Sequence, residues 1–166
     1  MLNRRGLRQA IDGNPALITG VPEALAKLSN AGFILVVASN EPEISQGQLD
    51  LDELEAAHNK LSEMVENRGG AIAAFFYCPH APQDHCHCRK PNTGLIDAIE
   101  LEFATPANEM IFIGTEQADV QLADAVGAQA LWVSGSNAPL SQTDTVADDH
   151  CFAELNQACD FILRHF

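Results

Sequence analysis

Gly32-Phe33-Ile34-Leu35-Val36-Val37-Ala38-Ser39-Asn40 decides the fold. Phe33 to Ala38 is a continuous apolar run, mostly β-branched or aromatic, and marks a strand buried on both faces, as in a parallel sheet. Upstream, Gly20 to Ala31 carries Val21, Leu25 and Leu28 at helical spacing, with Thr19 as N-cap and Pro22 and Glu23 in the first turn. Downstream, Leu51, Leu54, Ala57, Leu61, Met64 and Val65 repeat that spacing after Asp50, and Gly69-Gly70 ends the pattern. A strand-like run from Ala71 to Tyr77 follows, then a cysteine cluster, a helix from about Thr93 to Phe103 and a strand Met110-Ile111-Phe112-Ile113. Gly114 turns into a helix containing Val120, Ala123 and Val126, which Gly127 caps before the strand Ala130-Leu131-Trp132-Val133. A C-terminal helix is expected near Phe152 to Leu163. Strands alternating with helices predict an α/β fold built on a doubly wound, Rossmann-like parallel sheet, with ligand sites at the carboxyl ends of its strands.

With 166 residues, 46% of them hydrophobic, the chain is expected to form a single domain over 1–166. No stretch approaches the roughly 18–20 apolar residues that span a bilayer, and Asn3-Arg4-Arg5-Gly6-Leu7-Arg8 leads into no apolar signal core. The expected setting is cytoplasmic. A formal charge of −14 argues against nucleic-acid and membrane partners, which demand a basic face. The few cations are concentrated, with Arg4, Arg5 and Arg8 at the N-terminus and Arg89-Lys90 after the cysteines. They are either one anion pocket or solvated charges.

Cys78-Pro79-His80 and Cys86-His87-Cys88 form two pairs of metal-ligand types, each with one residue inside it. In extended backbone residues i and i+2 project to the same side, so the pairs can face one ion from two arms of a short loop. Three thiolates and an imidazole suit a closed, structural tetrahedral zinc site. A disulfide conflicts with a reducing compartment and with the closeness of Cys86 to Cys88, which leaves buried free thiols as the alternative. His85 and His87 are also within reach, but alternation turns His87 away and favours His80. Closed coordination makes the ion a scaffold for Arg89 and Lys90. Cys151 and Cys159 are expected to pack as small apolar side chains in a helical region.

The order Ser39-Asn40, then Cys-x-His…Cys-x-Cys-Arg-Lys-Pro, then Gly-x-x-x-x-Asp resembles the haloacid dehalogenase superfamily. The zinc segment is similar to that of the D-glycero-D-manno-heptose 1,7-bisphosphate phosphatases and the zinc-bearing histidinol phosphatases. The resemblance implies a zinc-loop phosphatase of phosphorylated sugars without a large cap domain, working through an aspartyl-phosphate and magnesium. It implies phosphate or substrate contacts for Ser39, Asn40, Arg89 and Lys90, with Lys90 also balancing charge. Strand-end turn residues and a solvated lysine are the plainer reading of the same positions.

Three positions depart from the family pattern. Asn3 stands at the nucleophile and Arg5 at the acid/base, while Thr115 replaces a magnesium-binding carboxylate and leaves Asp119. A carboxamide is a poor nucleophile, and a guanidinium with pKa above roughly 12 shuttles no protons near neutrality. Magnesium prefers charged oxygens, and of its implied positions Asn3, Thr115 and Asp119 only Asp119 supplies a charge, so its binding is doubtful. Only Met1-Leu2 precedes Asn3 where the family has a buried strand, which implies a shortened central strand or a start further upstream. The expectation is a zinc-bearing pseudoenzyme that holds a phosphorylated sugar or a protein partner, as a monomer or with that partner. The alternative is an active heptose-bisphosphate phosphatase of lipopolysaccharide precursor synthesis in which Glu116, Asp119 or Asp12 supplies the missing carboxylate. A remnant gene product without activity is the third reading.

Overall fold

The computed structural model describes residues 20–134 and 147–166. Its first helix, α1 (Val21–Asn30), opens at Gly20, whose φ of +81° is a left-handed turn that glycine adopts without strain. Strand β1 (Val36–Asn40) follows, then a single turn α2 (Pro42–Ser45) and the long helix α3 (Leu51–Glu66). Asp50 caps α3 through a capping box: its carboxylate accepts from Glu53 N, and its own N–H donates to Glu53 Oε2. Next come β2 (Ala74–Cys78), α4 (Gly94–Phe103), β3 (Ile111–Gly114), α5 (Gln117–Ala125), β4 (Gln129–Val133), β5 (Cys151–Phe152) and α6 (Leu155–His165).

Among the described residues every strand pairing is parallel, and helical crossovers join β1 to β2 and β3 to β4. β1 lies beside β2, with Ser39 opposite Tyr77 and Asn40 opposite Cys78. A second group runs β3-β4-β5. Among the described residues the two groups share no ladder hydrogen bonds, but both contribute walls to one apolar cavity of about 400 Å³. Side-chain alternation sends the strands' residues to two cores. On one face Leu131 and Val133, with Ile111 and Ile113 against them, pack on α1 and α6 through Ala24, Leu28, Ala158, Cys159 and Ile162. On the other, Phe112, Ala38 and Phe76 pack on Ile96 and Ile99 of α4 and Leu122 of α5. Helices on both faces of parallel strands give the doubly wound architecture. Among the described residues no helix is long and apolar enough to cross a membrane.

Several boundaries move. The strand expected at Phe33–Ala38 pairs over Val36–Asn40, so Ser39 and Asn40 are its last two residues rather than the turn after it. Ala71–Tyr77 likewise shifts to Ala74–Cys78, and Cys78 itself ends the strand. In both places apolar residues start before ladder pairing does. The C-terminal helix begins at Leu155, because Cys151 and Phe152 form a two-residue strand against Trp132 and Val133. Cys151 is therefore a half-buried strand residue, not a helical one. Cys159 packs as expected: it is fully buried on α6, and burial pushes its thiol up to about 11. Thr19, Asn3, Arg4, Arg5, Arg8 and Asp12 lie outside the described residues.

Candidate active site and metal loop

The strand order delivers the chemistry-bearing residues to one edge. β2 ends on buried Cys78, and the chain leaves it through Pro79-His80, a 3-10 turn over Pro82–Asp84, and His85, whose φ of +46° reverses direction. Cys86 and Cys88 return on the other arm. The Asp84 carboxylate accepts from the Ala81 N–H at 2.8 Å and closes that turn. His87, between the two cysteines, points outward to Asp97 on α4 at 2.8 Å. Gly94 is what lets the arm lie on the start of α4, because a Cβ there would sit 2.8 Å from the His87 ring and 3.0 Å from Cys88 Cα.

The ligand atoms of Cys78, His80, Cys86 and Cys88 all lie within 4.8 Å of one another. Cys78 Sγ is 3.6 Å from His80 Nδ1, 3.5 Å from Cys86 Sγ and 3.2 Å from Cys88 Sγ. Cys88 Sγ is 3.2 Å from His80 Nδ1 and 3.6 Å from Cys86 Sγ. A tetrahedron with Zn–S near 2.3 Å and Zn–N near 2.0 Å has edges of roughly 3.5–3.8 Å, so the cluster is consistent with a zinc loop. Burial, reinforced by the Cys88 contact, pushes the Cys78 thiol up to about 12, so a strong adjacent positive charge is needed to make it a thiolate.

Beside the loop runs a buried polar network. Lys90 Nζ donates to Asp119 Oδ1 at 2.6 Å and to the Ala38 carbonyl at 3.0 Å, and both charged side chains are about 95% buried. Asp119 Oδ2 accepts from the backbone N–H groups of Thr115 and Glu116, which ties the start of α5 to the end of β3. Close approach makes Gly114 obligatory, since a Cβ there would lie 2.5 Å from Asp119 Cβ. Asn40 faces Lys90 from β1, its Oδ1 accepting from Lys90 N at 2.9 Å and its Nδ2 donating to Lys90 O at 3.1 Å. Ser39 Oγ and Thr115 Oγ1 are buried atoms with no hydrogen-bond partner among the described residues. Arg89 lies over the metal loop, donating to the His80 carbonyl at 3.2 Å.

The structure thus gathers Lys90, Asp119, Asn40 and the backbone of Ala38 and Thr115 into one network. Arg89 stands apart from it on the loop, and Asn3 and Arg5 fall outside the described residues. Sequence reading missed the Ala38 carbonyl, because a backbone acceptor carries no residue signature. It named Gly114 as a turn and as the first residue of Gly-x-x-x-x-Asp, but not the contact with Asp119 that requires a bare Cα there.

Comparison with known proteins gives the lineage. Residues 11–162 match the family model described as polynucleotide kinase 3 phosphatase. The chain is 36% identical over 133 residues to the D-glycero-beta-D-manno-heptose-1,7-bisphosphate 7-phosphatase of Pseudomonas aeruginosa, a match covering 76% of this chain and 75% of that protein. It is 32% identical over 129 residues to the histidine biosynthesis bifunctional protein HisB of Legionella pneumophila, covering 78% of this chain and 35% of that protein. Among solved structures, the D,D-heptose 1,7-bisphosphate phosphatase of Bordetella bronchiseptica, complexed with magnesium and phosphate, superposes with a TM-score of 0.81. That match has 28% identity and covers 89% of this chain and 83% of the other. The chain therefore belongs to the haloacid dehalogenase-like family of the heptose-1,7-bisphosphate 7-phosphatases and the HisB histidinol phosphatases.

Proposed function

We propose that this protein is a phosphohydrolase acting on a phosphate monoester of a heptose-bisphosphate-type sugar, in the cytoplasm. The observation that carries this reading is the Lys90 ammonium. Among the described residues it is held by Ala38 O and Asp119 Oδ1, which leaves a third N–H for an anion, next to the strand position whose Ser39 hydroxyl has no partner among them. Arg89 adds a second cation from the loop. The names and coverage of the relatives support turnover of a sugar bisphosphate, and a charge of −14 speaks against the polynucleotide named in the family model.

Cys78, His80, Cys86 and Cys88 would hold a structural zinc, which supplies a cross-link between the two arms of the loop. With four protein ligands no coordination position is left for substrate. Magnesium fits less well. Both Asp119 oxygens already accept hydrogen bonds, and Thr115 offers a neutral hydroxyl where a hard, charged oxygen is preferred.

A second reading, binding without efficient turnover, is favoured by that same hydroxyl at 115 and by Asn3 and Arg5 in the sequence. One assay separates the two. Phosphate release from D-glycero-D-manno-heptose 1,7-bisphosphate in magnesium is measured for the wild type and for the triple variant Asn3→Asp, Arg5→Asp, Thr115→Asp. Wild-type release supports the phosphohydrolase; release by the triple variant alone overturns it in favour of binding.

A further inference from the structure

We infer that Asn40 is a positioning residue, acting through Lys90 rather than on the phosphate. Lys90 lies in the chain between the metal loop and α4, is 94% buried, and brings a peptide N–H and C=O into the interior with it. Buried backbone groups without partners are costly, and here one side chain satisfies both. The Asn40 carboxamide lies against Lys90 as a single rung of ladder, accepting from its N–H at 2.9 Å and donating to its C=O at 3.1 Å. The assignment of oxygen and nitrogen is forced, because the flipped amide would set donor against donor and acceptor against acceptor.

The clasp fixes where the lysine backbone crosses the end of β1. From that point the side chain reaches the Ala38 carbonyl, two residues before Asn40 on the same strand, and Asp119 across the cavity. Strand β1 therefore holds one lysine at three atoms, N, O and Nζ, and the ammonium is set by Asn40 as much as by its own ion pair. The Asn40 carboxamide is 92% buried and gives its Oδ1 and one Nδ2–H to Lys90, so a single N–H is left besides the clasp.

The affinity arm of the test rests on the phosphate-binding reading; the ammonium arm does not. In the full-length, zinc-loaded chain, the Lys90 ammonium is followed by ¹⁵N NMR, assigned with Lys90→Met, and inorganic phosphate binding is measured by calorimetry. Asn40→Ala and the isosteric Asn40→Asp, which turns a carboxylate toward the Lys90 carbonyl, are both expected to shift the ammonium signal and speed its exchange with solvent. Phosphate affinity falls about tenfold, as expected for roughly 1.4 kcal/mol of lost alignment. In a Lys90→Met background, Asn40→Ala then changes phosphate affinity no further. An unmoved ammonium signal in both variants overturns the inference, as does a loss on Asn40→Ala that persists undiminished in the Lys90→Met background, which marks a direct contact. If the wild type binds no phosphate, the phosphate reading fails and the ammonium signal alone decides the role of Asn40.

Discussion

The metal loop and the Lys90–Asp119 network lie side by side, yet they are built in opposite ways. The loop draws its four ligand atoms from eleven consecutive residues, and its internal bonds, such as Asp84 to Ala81 and Arg89 to His80, are local. The network joins residues 29, 50 and 52 positions apart, from β1, α5 and the segment before α4. A local cluster can be read from spacing and held by a cross-link; a distributed one exists only when the whole sheet has formed. The loop's integrity should thus follow metal, and the network's should follow packing.

Removing the metal ligands should have the largest effect. Structural zinc in small domains carries about 10–16 kcal/mol of apparent binding free energy, so Cys86→Ser should abolish stoichiometric zinc and lower the urea midpoint more than any change below. Metal analysis with denaturation checks it; a zinc-free variant of wild-type stability would break the comparison. Lys90→Met should cost about 3–5 kcal/mol by leaving a buried carboxylate unpaired, with zinc content unchanged. Adding Asp119→Asn removes that charge while keeping an acceptor for the Thr115 and Glu116 amides, and should recover much of the loss. Failure of the double variant to recover would show that packing, not charge, sets the cost. Gly114→Ala should cost about 1–3 kcal/mol by pressing on Asp119, again without touching zinc.

The smallest effect lies between α3 and β2. His58 of α3 stacks on Phe75 of β2 at 4.2 Å, and burial lowers its pKa below the ordinary 6.5. The unfolded chain then binds a proton more readily than the folded one. This contribution is fully present above pH 6.5 and is lost as pH falls through 6.5 toward the lower folded value. His58→Phe should flatten that part of the pH dependence in denaturation midpoints, and an unchanged profile would remove His58 as its source.

What could be read in the sequence follows the same division. The ligand spacing, the helical repeat that starts after Asp50 and the glycine stops are local signals, and the alternation of apolar runs with helical repeats yielded the parallel, doubly wound order. The strand limits slipped because hydrophobicity marks burial, whereas pairing begins three residues later and runs on through Ser39-Asn40 and Cys78. α2 and β5, at four and two residues, are too short to carry a period. Nothing near Asn40 announces a partner fifty residues away. The loss of chemistry expected at Asn3, Arg5 and Thr115 finds no support in the relatives, which favour the active-phosphatase alternative.

Gly114 and Thr115 give adjacent positions unequal freedom to drift. The first is pinned by steric contact with Asp119, so almost any substitution there disturbs the fold. The second is anchored through its backbone N–H, a bond indifferent to the side chain, and its hydroxyl bonds to no described residue. A lineage can exchange the group at 115 while the framework around it stays put, so gain or loss of a carboxylate there is a short evolutionary step in either direction.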